Sequence, residues 1–217
     1  MRVGYYPETP EIFWINHDKI RWRPLQDVIE DILKFMSLSD DPLIIDFHRT
    51  PVGFEDSKTL NLFTGYINDQ LGGLGFPSDS SFKTSLNDIW NDGRKLIISF
   101  ADNNYEIRNK YLWIWPSISQ YWADAKTQGE LKDYIDRKMR HMKKRKELWA
   151  AMGHMSPTLW DIMTNKGKSL REMADKTGGS LTIWLKEDWI DSANILTSDF
   201  FHSNDIIDTS IRLVKTF

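Results

Sequence analysis

The segment PLIIDFHRTPVGF, residues 42–54, runs from an apolar stretch into an acid, an imidazole and a guanidinium: Asp46, His48 and Arg49. Leu43-Ile44-Ile45 reads as a strand buried on both faces, because parallel strands covered by helices show no polar alternation. Ionisable groups at the C-terminal end of such a strand stand where α/β folds build their sites. Histidine is also the side chain whose ordinary titration lies nearest neutrality, which suits it to moving protons. Other apolar runs close in the same way: EIFWIN is followed by His17, KLIISFAD ends in Asp102, and NILTSDFF contains Asp199. Each residue also has a plainer reading. His17 reads as a loop histidine, His48 and Arg49 as partners that neutralise Asp46, and Asp102 as a cap on the turn through Asn103 and Asn104.

The elements that must position these groups alternate. Strands are expected at 2–6, 11–16, 42–48, 95–102 and 194–201, with 147–156 readable as strand or helix. Leu25, Val28, Ile29, Ile32, Leu33 and Met36 follow helical spacing behind Pro24, and further helices are expected at 57–73, opened by Ser57, and at 81–93, closed by Gly93. A long polar helix covers about 128–146, two helices broken at Gly178-Gly179 follow, and a last one starts near Asn204. Strand and helix in regular succession argue for a parallel sheet flanked by helices, and charged groups at several strand ends suit a barrel. No G-x-G-x-x-G or P-loop pattern occurs.

At 217 residues and 41% hydrophobic content the chain can bury one substantial core, so a single domain over 1–217 is expected. The net charge of −3 gives no electrostatic footprint for nucleic acid. With no cysteine, disulfides and thiolate chemistry are excluded. The first residues lack the apolar core of a signal peptide and no run approaches a membrane span, so the expectation is a cytoplasmic or peripheral membrane protein.

In order, RVGYYP with FWINHD, RPLQDVIEDILKFM, LIIDFHRTPVGF, LWIWPS with YW, and ANILTSDFF with NDIIDTSIRLV resemble the phosphatidylinositol-specific phospholipase C X-domain-containing proteins over almost the whole chain. The resemblance implies a TIM-type (β/α)8 barrel that cleaves the phosphodiester of an inositol phospholipid. In that family one histidine deprotonates the inositol 2-hydroxyl, which attacks phosphorus, and a second protonates the departing diacylglycerol oxygen. A cation holds the charge that develops. Carried onto this chain, Arg2 is the charge clamp in place of calcium, since its fork engages two phosphate oxygens. His17 is the general acid and Asp199 orients the first histidine. Asp46, with His48 and Asp102 near it, binds the inositol. The implied chemistry needs no cofactor and is expected to be calcium-independent, with Ca²⁺ as the alternative source of the fixed charge.

The family's first histidine lies on the strand before the one that carries Arg2, and here Met1 directly precedes Arg2. The expectation is therefore an incomplete barrel lacking its first strand and histidine motif, a truncated chain with impaired turnover. The readings beside it are a natural inactive form and His48 as substitute base. The runner-up is a non-catalytic phosphoinositide-binding or membrane-associating module. Its carrier is the basic run Arg137, Lys138, Arg140, Lys143, Lys144, Arg145 and Lys146, which otherwise reads as a solvated helix face. Near an anionic lipid surface each such residue contributes on the order of 1 kcal/mol.

Overall fold

Apolar runs bounded by turn residues become strands of three to five residues in the computed structural model, which describes residues 1–78, 84–101, 110–143, 147–158 and 169–214. The chain divides into two compact units, Met1–Ile118 and Ser119–Phe217. The first contains β1 (Arg2–Tyr5), β2 (Phe13–His17), β3 (Ile20–Pro24), α1 (Leu25–Leu38), β4 (Leu43–Phe47), β5 (Arg49–Val52), α2 (Ser57–Leu71), α3 (Leu86–Asp92), β6 (Leu96–Phe100) and β7 (Ile114–Pro116). Its strands form a four-stranded sheet ordered β3-β2-β1-β5 and a three-stranded sheet ordered β4-β6-β7.

The (β/α)8 barrel expectation is corrected here. Among the described residues the strands make three small sheets, and no closed barrel is present. Closure requires every strand to have two hydrogen-bonded neighbours. The strands β3, β5, β4, β7, β8 and β10 each end a sheet with one. An antiparallel hairpin, β2–β3, also occupies one side of β1 where a barrel would continue in parallel. What persists from the alternation is mixed α/β character with parallel pairs β1–β5, β4–β6 and β6–β7.

One face of these strands packs under α1 and α2. Leu25, Ile29 and Ile32 of α1 and Leu60, Phe63, Ile67 and Leu71 of α2 meet Val3, Phe13, Ile45, Phe47, Leu96, Ile98 and Phe100. Phe63 is fully buried at its centre, edge-on to Phe13 and Phe47 with centroids 5.1 and 5.3 Å away. The helices are capped locally: Asp56, not Ser57, accepts from the Thr59 amide to open α2, and Ser85 with Asp88 forms a capping box for α3. β6 is buried on both faces as its composition suggests, but β4 alternates, with Ile44 40% exposed. A strand at the end of its sheet is covered on fewer sides than one in the middle.

The second unit contains β8 (Ser119–Trp122), α4 (Gln128–Met142), β9 (Trp149–Met152), α5 (Leu170–Trp184), a π-helical turn (Leu185–Trp189), β10 (Ile195–Thr197) and α6 (Ile206–Val214). Its parallel sheet is ordered β10-β9-β8. Leu131, Ile135, Met139 and Met142 form the buried stripe of α4 and pack with Trp149, Leu181, Leu185 and Trp189. Lys132 joins Asp136 and Asp188 at 2.9 and 2.8 Å, and the Trp189 indole donates to Asp136.

Gly178-Gly179 does not break α5, which runs through both. Gly178 is there for close approach: a Cβ would lie 2.6 Å from Asn204 Nδ2, whereas at Gly179 it would meet nothing within 4 Å. The two adjacent glycines should therefore respond with opposite signs to alanine. Gly179→Ala stabilises by up to about 1 kcal/mol through helix propensity. Gly178→Ala destabilises by about 1–3 kcal/mol through overpacking. Urea unfolding midpoints of the two variants check this.

Candidate functional site

The face of the first unit turned away from α1 and α2 carries its polar groups. Val3 and Ile15 pair across β1–β2 and belong to the apolar side. Strand alternation therefore turns Arg2, Gly4, Trp14 and Asn16 the other way. A Cβ at Gly4 would lie 2.7 Å from the Asn16 side-chain oxygen, so glycine makes room for that amide, which donates to the Tyr6 hydroxyl at 2.6 Å. The Arg21 guanidinium lies over the Tyr6 and Trp14 rings at 5.1 and 4.7 Å.

β4 and β6 supply the centre. The two strands pair rung for rung as Leu43–Leu96, Ile44–Ile97, Ile45–Ile98, Asp46–Ser99 and Phe47–Phe100. They differ in sequence only where Asp faces Ser. On that rung the fully buried Ser99 hydroxyl donates to Asp46 Oδ1 at 2.6 Å. Asp46 Oδ2 stands 3.9 Å from His48 Nδ1. The Met1 amine donates to the Asp46 carbonyl oxygen and lies 3.4 Å from His48 Nδ1. The His48 amide donates to the Met1 carbonyl, joining the start of β1 to the chain between β4 and β5, and Arg2 pairs with Arg49 one step along.

The electrostatics follow from burial and from these neighbours. Loss of hydration pushes the His48 imidazole down from 6.5 to about 4. The Met1 amine adds to the lowering, Asp46 opposes it, and Arg2 and Arg49 lower it further. His48 is thus neutral at pH 7, and its closeness to Asp46 is not an ion pair. Arg2 and Arg49 form no ion pair among the described residues. Among the described residues the cluster sets two guanidiniums and the Met1 amine against one carboxylate, a surplus that suits an anion.

Arg2, Asp46 and His48 are therefore brought together at one strand end. His17 ends β2, exposed, on the row of Phe13 and Ile15, which the β1–β2 register sets on the Val3 face and so opposite to Arg2. Asp199 lies in the second unit, in an exposed turn after β10. Asp102 lies outside the described residues, as do Lys144, Arg145 and Lys146. Of the remaining basic run, Lys138 sits 4.2 Å over the Tyr121 ring, and Arg137, Arg140 and Lys143 are exposed on or just after α4. Among the described residues, no group of three or more His, Asp or Glu side chains is placed to hold a metal, and no helix is long and apolar enough to cross a membrane. Ser99 was the participant the sequence reading passed over. Its signal is the near-identity of LIIDF and LIISF, which becomes a register once the strands are known to pair.

Because the native state holds His48 neutral, the unfolded chain binds a proton near pH 6.5 that the folded chain refuses until about pH 4. Stability is complete above pH 6.5 and falls as pH drops toward 4, by up to about 3 kcal/mol from this residue and less as solvent screens its partly exposed ring. Urea unfolding across that range measures the slope, and His48→Gln should flatten it. A comparison with protein-family models and with curated proteins returned no match to this chain.

Proposed function

We propose that the chain is a phosphoric diester hydrolase or lyase of the inositol phospholipid type, with its working groups at the Arg2–Asp46–His48 strand end. The observation that carries the reading is an imidazole kept neutral beside two guanidiniums that form no ion pair among the described residues. A neutral imidazole accepts a proton, and a guanidinium fork holds a phosphate oxygen pair. In this reading Arg2, with Arg49 beside it, holds the phosphodiester. His48 takes the proton of the attacking inositol hydroxyl as its oxygen bonds to phosphorus. The bond from phosphorus to the diacylglycerol oxygen breaks, and that oxygen takes a proton from water. Asp46, fixed by Ser99 with its other oxygen 3.9 Å from His48 Nδ1, stabilises the imidazolium that forms. His17, on the opposite row of β2, is not asked to act as the acid, so the turnover expected is weaker than at a paired-histidine site.

Phosphatidylinositol in mixed micelles, with and without chelator, tests the reading through released inositol phosphate. Release should persist with chelator, fall roughly 10² to 10⁴-fold in His48→Ala and fall strongly in Arg2→Met. The acid limb of kcat/KM should lie near pH 4 and not near 6.5, because that parameter reports the free protein's base. Absence of release from the unmodified chain, or full turnover in His48→Ala, would overturn it.

A further inference from the structure

The β2–β3 hairpin carries the most exposed aromatic side chain among the described residues, and its geometry is specific. Asp18, in the left-handed region at φ 54°, and Lys19 form the turn. Returning along β3, His17 pairs with Ile20, Asn16 with Arg21 and Ile15 with Arg23. Trp22 has no partner: it is the extra residue of a bulge. A bulge bends its strand and re-aims a side chain. Here it delivers Trp22 to solvent at 76% exposure, with Ile20 at 69%. A large aromatic and a β-branched aliphatic are thus both held out within one turn-and-bulge segment, apolar surface that a binding surface would cover.

We infer that this hairpin is an interfacial anchor that seats Trp22 and Ile20 in the surface of an anionic lipid bilayer. Tryptophan suits the boundary between headgroups and acyl chains, where its ring is covered and its N–H stays wet. The charges agree. Lys19 precedes Ile20 and Arg21 stands between Ile20 and Trp22; no ion pair holds either among the described residues, though the Arg21 guanidinium lies over the Tyr6 and Trp14 rings, and Asp18 sits in the same turn, while Arg23 is tied to Asp31 at 2.7 Å. Basic groups beside exposed apolar ones match anionic headgroups. They oppose the other obvious occupant, a second copy adding to the open edge of β3, because Lys19 and Arg21 would be set against themselves and Pro24 removes a donor. The anchor is separate from the basic run on α4. It rests on the proposed lipid substrate only for its purpose and not for its geometry, since β2 joins the hairpin directly to the strand that carries Arg2.

The test is sedimentation of the whole chain with vesicles of phosphatidylcholine mixed with phosphatidylserine, read also by tryptophan emission. The unmodified chain should bind with a blue shift. Trp22→Ala with Ile20→Ser should weaken binding by about tenfold or more while the thermal unfolding midpoint stays unchanged, because both residues are exposed. Equal binding by the two forms, or no binding by either, overturns the anchor. So does a self-association seen in sedimentation velocity without vesicles and lost in the double variant. Cleavage of a soluble inositol phosphodiester separates the two ideas. If the anchor binds and nothing is cleaved, the enzymatic reading fails alone. If cleavage is intact and vesicles are ignored, the anchor fails alone.

Discussion

The hydrogen bond from Ser99 to Asp46 is the constraint on which the polar face depends. A carboxylate at the end of a strand whose neighbours are Phe47, Ile45 and Phe100 is costly to bury unless its oxygens are satisfied. Ser99, itself without solvent contact, satisfies one at 2.6 Å. That bond exists only in the parallel register that places Leu43 beside Leu96, and a slip of one residue would turn Asp46 into the apolar core. The core packing of Phe63 against Phe13 and Phe47 and the polar face therefore specify the same alignment from opposite sides of the sheet.

His48 takes its character from this arrangement. Its imidazole is near a carboxylate, which alone would favour the charged form, yet burial and surrounding positive charge outweigh that attraction. The outcome is a proton acceptor placed beside guanidiniums. In the proposed reading, an anion bound there removes part of the positive field and raises the proton affinity of the imidazole.

Much of this was legible in the sequence where local chemistry decides. The period of Leu25, Ile29 and Ile32 gave α1, the apolar runs gave β1, β4 and β6, and Asp46 with His48 stood out by type and position. What could not be read depends on distant partners. The strand β3 was missed because IRWRP alternates charge and bulk without an apolar face, and only its turn to β2 makes it a strand. The glycine pair in α5 resembled a break because propensity is local, whereas Gly178 answers to Asn204 in another element. Sheet closure depends on which strand finds which neighbour, and the hairpin on β1 changes that outcome. The placement of His17 relative to Arg2 turns on a register that alternation alone does not give.

The central claim is that His48 is held neutral beside the Arg2 and Arg49 guanidiniums, where the proposed reading places an anion, and NMR titration of its imidazole tests this most directly. The account predicts a midpoint near pH 4 in the free chain that moves upward when inositol 1-phosphate is added, with no such movement in Arg2→Met. A midpoint at the ordinary histidine value, or one that inositol 1-phosphate leaves unmoved, would contradict it.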